Sequence, residues 1–232
     1  MKQGFSGSTV QRKGNLLEKI SNDQNFTSST ERQKDLVALS QKVDVLPRID
    51  HIDSQSIYME YVEGQEGLTE QNARQAGKAL RLLHERRDYQ YPCMTGLEWL
   101  IQMANENLAR MGCSQRVLAE IEAEYPSDAL IHSEPVQFIE KRDGAIVFID
   151  IEGIGMGTRY QDLGFVYYIT KKDEKPEIFT SFMEGYQSEP VQIEQMRIKE
   201  LAGIISLAYA QFAEFEKRME LGLRLLGEPG QK

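Results

Sequence analysis

The amino-acid sequence predicts an α+β chain in two parts, a small sheet-rich lobe followed by a larger, mostly helical one. Three observations carry that reading. The first 62 residues break into short apolar runs separated by Gly-, Ser- and Asp-rich turns, with one helix-length segment among them. From Thr69 onward the apolar residues recur mainly at helical spacing. The change of character falls at Glu63-Gly64-Gln65, which divides the chain into residues 1–63 and 64–232. At 232 residues and 41% apolar content, the chain is long enough to enclose one substantial core or two small ones.

The elements follow in order. Gly4-Phe5-Ser6-Gly7-Ser8 is a bend, Thr9–Gln11 a short strand, Arg12-Lys13-Gly14-Asn15 a turn and Leu16–Ile20 a returning strand, together a hairpin. Ser21–Ser29 is a linker whose one apolar residue is Phe26. Thr30 caps a helix from Glu31 to about Lys42, with Leu36, Val37 and Leu39 favouring one face. Val45–Ile52 and Ile57–Val62 read as strands on either side of the turn Asp53-Ser54-Gln55. Beyond Gly64, Thr69 caps a helix carrying Ala73, Ala76, Leu80 and Leu83, which ends in the basic turn His84-Glu85-Arg86-Arg87 that the helix dipole favours. Helices over about Leu97–Met111 and Gln115–Glu124 come next. Ala129–His132 and Gln137–Glu140 are strands, and the turn Lys141-Arg142-Asp143-Gly144 leads into the apolar run Ala145–Ile151. In the C-terminal part, Leu201, Ile205, Ala208, Phe212, Phe215, Met219 and Leu223 recur at helical spacing, which assigns them to core packing.

Composition excludes several classes of function. The chain carries 36 acidic residues against 27 lysines and arginines, a formal charge of −9. Nucleic-acid binding needs clustered Lys and Arg for phosphate contacts, so no such partner is expected. No stretch reaches the ~18–20 apolar residues that span a bilayer, and Met1-Lys2-Gln3-Gly4 lacks the apolar region of a signal peptide. Cys93 and Cys113 have neither metal-like spacing nor companions. The expectation is a cytoplasmic protein with no membrane partner.

Several short motifs carry chemistry. In Gly4-Phe5-Ser6-Gly7-Ser8-Thr9, closely spaced glycines let backbone amides converge on an anion, although the same residues make an ordinary turn, and no Lys follows to make a P-loop. Alternation puts Lys19 on the strand face opposite Glu18, where a lysine is a solvated edge residue unless something holds it. Glu31 opens a helix, a place the dipole favours for any acid. Ile131-His132-Ser133-Glu134-Pro135-Val136-Gln137 sets an acid and an amide three residues apart at a strand end; the plainer alternative is a polar turn with a buried, hydrogen-bonded His132. Ile146–Ile151 is an apolar run whose end carries Asp150 and Glu152. A carboxylate there is expensive unless it is paired or binds a metal, and Gln137 and Glu134 could add the oxygen ligands that a hard cation needs. Gly153-Ile154-Gly155-Met156-Gly157 fails as a dinucleotide fingerprint, because Thr158 stands where a glycine is required. Asp162 caps the next helix or braces the turn behind it.

In this order the motifs resemble the aminoglycoside phosphotransferase and choline kinase superfamily, the small-molecule branch of the protein-kinase-like fold. Glycine-rich hairpin, strand Lys19, helix Glu31, the hinge-like Met59-Glu60-Tyr61-Val62-Glu63-Gly64, Leu83-His84, His132-Ser133-Glu134, Gln137, Ile149-Asp150-Ile151-Glu152 and Asp162 follow the family sequence across nearly the whole chain. The resemblance implies a two-lobed protein-kinase-like fold and an ATP- and Mg²⁺-dependent transfer of phosphate to the hydroxyl of a small molecule. It implies that amides of Ser6, Gly7 and Ser8 cover the phosphates, that Lys19 contacts them while paired with Glu31, and that backbone groups from Glu60 to Val62 hold adenine. Asp150 and Gln137 would coordinate Mg²⁺, Glu134 would orient or deprotonate the acceptor, and His132 and Asp162 would brace the catalytic segment.

The chain departs from the family pattern at several places: Glu134 replaces an Asp, Ser133 a Gly and Gln137 an Asn, the intervening loop is about two residues short, and the first strand has almost no residues before Gly4. These departures leave open a second reading, an impaired kinase-like domain that binds a nucleotide or a protein. The acceptor is read only as an aminoglycoside, sugar or amino alcohol. The acids Glu174, Glu177, Glu184 and Glu189 suit a cationic acceptor or simply a solvated surface.

Overall fold

The computed structural model describes residues 2–3, 9–20, 30–53, 55–112, 125–186 and 192–227. Along the chain run β1 (Lys2–Gln3), β2 (Thr9–Lys13), β3 (Leu16–Ile20), α1 (Thr30–Ser40), β4 (Ile49–Ile52), β5 (Ser56–Glu60) and β6 (Gln65–Glu66). Then come α2 (Ala73–His84), α3 (Leu97–Arg110), β7 (Ala129–Ile131), β8 (Phe138–Glu140), β9 (Ile146–Phe148), β10 (Gly155–Gly157), α4 (Arg159–Lys172), α5 (Pro176–Tyr186), α6 (Gln192–Tyr209) and α7 (Phe215–Leu225). Contacts group these into two compact units: Met1–Gly67 with Gln137–Glu152, and Leu68–Val136 with Gly153–Lys232. The first unit thus includes a later segment that a linear division at residue 63 leaves with the helices, because β8 pairs with β6.

In the first unit, an antiparallel sheet is ordered β1-β2-β3-β5-β4. The β2–β3 turn closes on Gly14-Asn15, with Gly14 at φ 66°, a conformation glycine reaches without strain. Alternation sorts the sheet's two faces. On one, the Glu18 carboxylate is bonded to Lys13 Nζ at 2.8 Å, to the Tyr58 hydroxyl at 2.5 Å and to Gln11, and these partners hold its pKa down to about 2. On the other, Lys19 lies beside the buried Ile57, and Met59 follows it along β5. The strand expected over Val45–Ile52 is shorter: Val45 and Leu46 are buried in the turn before Pro47, and pairing begins at Ile49. The Ser40 hydroxyl ties α1 to β4 by accepting the Ile49 amide at 3.0 Å. In a second small sheet, ordered β6-β8-β9, Phe148 donates its amide to the Val45 carbonyl at 2.9 Å.

The second unit is helical apart from the antiparallel pair β7 and β10. Residues 201–208 of α6 are buried all round, as expected of a helix enclosed by others, here α3, α4 and α7. The expected C-terminal periodicity is interrupted: a 3₁₀ turn over Ala210–Phe212 and a left-handed Glu214 at φ 47° separate α6 from α7. Phe212, assigned to the core by its spacing, is 49% exposed, because periodicity carries no phase across such a break. The helix expected over Gln115–Glu124, the linker 21–29 and the bend 4–8 lie outside the described residues. Among the described residues no helix is long and apolar enough to cross a membrane.

Helices α2 and α5 approach closely at glycine. A Cβ on Gly77 would lie 2.0 Å from the Phe182 carbonyl oxygen, and one on Gly185 would lie 1.8 Å from that of Arg74. Gly77→Ala should therefore destabilise the fold by about 1–3 kcal/mol through overpacking, read as a lower urea midpoint at unchanged slope; an unchanged midpoint would show that the two helices part readily.

Candidate active site

In the first unit, β9 delivers Asp150 through a buried run, Ile146, Val147 and Phe148. Asp150 takes φ 60°, a left-handed conformation that Asp tolerates better than most residues, and turns the chain into a 3₁₀ helix over Ile151–Gly153. That turn sets Glu152 beside Asp150, and both carboxylates reach Lys19 of β3. Lys19 Nζ is bonded to Asp150 Oδ1 and lies 2.5 Å from Glu152 Oε1. The Lys19 side chain is only 9% exposed. Burial pushes its ammonium down, but the charges of Glu152 and Asp150 outweigh burial and hold it above the usual lysine value.

Gln137 precedes β8, and its carbonyl accepts the Ile149 amide at 3.0 Å, so the strand register sets it one residue from Asp150. The expected Lys19–Glu31 pair is not formed: Glu31 stands exposed in the first turn of α1, and Glu152 takes the place beside the ammonium. A three-residue helical turn brings Glu152 within reach, whereas the dipole alone accounts for an acid at Glu31. Glu60, at the end of β5, donates its amide to the Arg48 carbonyl at 2.8 Å, and Tyr61 donates to that of Asn15 at 2.9 Å. Val62 is buried. Residues Glu60–Glu63 and Lys141–Asp143 line a cavity of about 340 Å³. Ser6, Gly7 and Ser8 lie outside the described residues.

In the second unit, α4 carries Asp162, fully buried in its first turn. Its Oδ2 accepts the His132 amide at 2.8 Å and faces His84 Nε2 at 3.0 Å, while Oδ1 accepts the Ser133 amide at 2.8 Å. His84, at the end of α2, places Nδ1 2.8 Å from the Tyr186 hydroxyl of α5. Ser133 is at φ 78°, where glycine is more at home, and the two amides held by Asp162 fix that bend. Glu134, half-buried, donates its amide to His132 Nδ1 at 3.3 Å, and its Oε1 accepts the Tyr209 hydroxyl at 2.5 Å. Of these partners, His84 carried a sequence signal in Leu83-His84; Tyr186 and Tyr209, far along the chain, carried none.

The first unit's donor set fits a magnesium nucleotide. Among the described residues no group of three His, Cys, Asp or Glu converges, and Mg²⁺ held against phosphates needs none, since one or two carboxylates and an amide oxygen suffice. Asp150 and Gln137 could supply such donors, and Asp150 is 42% exposed, so its carboxylate can be approached.

No protein-family profile and no curated protein sequence matches this chain. Solved structures do. A choline/ethanolamine kinase family protein from Mesorhizobium loti superposes with a TM-score of 0.68 at 16% identity, covering 95% of this chain and 84% of its own. The choline kinase LicA from Streptococcus pneumoniae gives 0.64 at 15% identity, covering 95% and 89%. An AMP-bound spectinomycin phosphotransferase gives 0.63 at 12% identity, covering 97% and 92%. The fold is therefore the α+β, protein-kinase-like fold of choline and ethanolamine kinases and of the antibiotic phosphotransferases.

Two outcomes test these contacts. A raised Lys19 value means that the folded state holds this proton more tightly than the unfolded chain, so the stabilisation is full below the ordinary lysine value of ~10.4 and is lost as pH climbs through the raised one. Lys19→Met should accordingly melt with a smaller drop between about pH 8 and about pH 11 than the parent, in a thermal scan; parallel drops would remove Lys19 from the account. Asp162→Asn offers one acceptor oxygen to three N–H groups, and it should cost about 1–3 kcal/mol in urea unfolding by leaving a buried donor unpaired.

Proposed function

We propose that this chain is an ATP- and Mg²⁺-dependent phosphotransferase, working in the cytoplasm, that moves the γ-phosphoryl group to a hydroxyl of a small polar molecule such as an aminoglycoside, a sugar or an amino alcohol. The observation that carries the reading is the buried Lys19 ammonium bonded to Asp150 at the end of β9. An ammonium beside an accessible carboxylate is the charge arrangement that receives phosphates together with a divalent cation. The likeness in fold to choline kinases and to a phosphotransferase holding AMP supports the same reading.

In this reading each residue has a proposed role. Lys19 would meet the phosphates, with Glu152 as its second carboxylate partner. Asp150 and Gln137 would hold Mg²⁺, amides of Ser6, Gly7 and Ser8 would cover the phosphates, and backbone groups of Glu60 and Val62 would hold adenine. Glu134 orients the acceptor hydroxyl or takes its proton, on a segment that Asp162 and His132 keep bent. When bound, the magnesium nucleotide supplies the transferred group and the cation that offsets its charge. The protein's own contribution is positioning and charge neutralisation, since phosphoryl transfer asks for little covalent participation.

Mg²⁺ with ATP should raise the melting temperature of the parent protein, and Asp150→Ala should abolish the shift while leaving Lys19 paired with Glu152. Across a panel of aminoglycosides, sugars and amino alcohols, at least one acceptor should gain phosphate, with Asp150→Ala slower by about 100-fold or more. ATP binding without transfer to any acceptor would point instead to a nucleotide-binding domain that has lost catalysis.

A further inference from the structure

We propose that Tyr209 is a positioning residue whose phenol fixes the carboxylate of Glu134 at the point where it meets the acceptor hydroxyl; this rests on the phosphotransferase reading above. A glutamate carboxylate hangs on two methylenes, so holding the backbone does not by itself settle where its oxygens lie. At Glu134 the backbone is held, by the His132 and Asp162 bonds and by the buried Pro135 that follows. The far end is held separately, by the Tyr209 hydroxyl 2.5 Å from Oε1.

Tyr209 is itself fixed from backbone to ring. The last carbonyls of a helix lack partners within it, and here side chains supply them: Asn107 Nδ2 donates to Leu207 O at 2.7 Å and to Ala208 O at 3.2 Å, and Arg218 Nη1 to Tyr209 O at 3.0 Å. The ring packs edge-on against Trp99 and Phe165, with centroids 6.1 and 5.6 Å away, and tilted against Phe212 at 5.8 Å. Burial, then the charge and hydrogen bond of Glu134, push the phenol far above the ordinary tyrosine value, so it stays protonated and donates. An O–H to carboxylate bond of this length is of the strong, charge-assisted kind, suited to holding one rotamer.

A cycle of four proteins tests the assignment: the parent, Tyr209→Phe, Glu134→Asp and the double variant, each assayed with ATP and the best acceptor from the panel. In the parent background, Tyr209→Phe should lower kcat by about 10- to 100-fold, as displacement of a reacting group by ~1 Å does, with the KM for ATP unchanged and the melting temperature near that of the parent. In the Glu134→Asp background the same change should cost less than about two-fold, because the shorter acid ends ~1.5 Å back and no longer meets the phenol. Equal losses in both backgrounds, a loss confined to the KM for ATP, or no loss would overturn the role of Tyr209 while leaving the phosphotransferase reading in place. A parent inert toward every acceptor would overturn that reading itself.

Discussion

A lysine ammonium leaves water only when negative charge goes with it, and that constraint at Lys19 organises the first unit. β3 lies inside the sheet, between β2 and β5, so its inward face is apolar and a charge there needs partners brought from elsewhere. They come from 131 and more residues further on, and the segment that brings them is anchored by the β6–β8 pairing and by the Phe148 amide on Val45. One ammonium faces two carboxylates, which leaves an excess of negative charge at the more exposed one, Asp150. The two carboxylates therefore more than offset the buried ammonium, which makes its removal from water tolerable.

The second unit meets the same difficulty with the opposite charge. Asp162 is fully buried, and among the described residues no lysine or arginine forms an ion pair with it; its carboxylate is held by two backbone amides and an imidazole. Hydrogen bonds to the charged form can carry such a burial where an ion pair is absent. The arrangement has a directional consequence that an ion pair would lack. Consecutive amides, those of His132 and Ser133, point at one carboxylate, which forces the bend that puts Ser133 at positive φ. His84 and Tyr186 extend the network to α2 and α5, two helices that approach closely at glycine, so the bend is tied to that packing.

Much of the first unit was legible in the sequence because its signals are local. Alternation separated Lys19 from Glu18, and the apolar run into Asp150 marked a carboxylate that needed company. What was not legible was which company. Glu31 and Glu152 are both acids near the expected site in a linear reading, and only the 3₁₀ turn over Ile151–Gly153 brings the second beside the ammonium. The return of residues 137–152 to the first unit was hidden for the same reason, since a two-residue strand such as β6 leaves no periodicity to detect. At the other end of the chain, the spacing of Phe212 and Phe215 ran on in helical phase across a break, and Tyr209, at the last residue before it, had nothing to distinguish it from a core aromatic.

Serine at position 133 and glutamate at position 134 make sense only together with their surroundings. A non-glycine residue at φ 78° costs about 1–2 kcal/mol relative to glycine, so it persists only where neighbours over-determine the bend. Here they do: Asp162 takes the amide, and the nearest side-chain atom to a Cβ at Gly153 would be the Ser133 hydroxyl, at 2.9 Å, so the absence of a side chain at 153 is what leaves room for one at 133. The residue that follows can then carry a longer acid without a loss of definition, because its amide is held by His132, the preceding amide by Asp162 and its carboxylate by Tyr209.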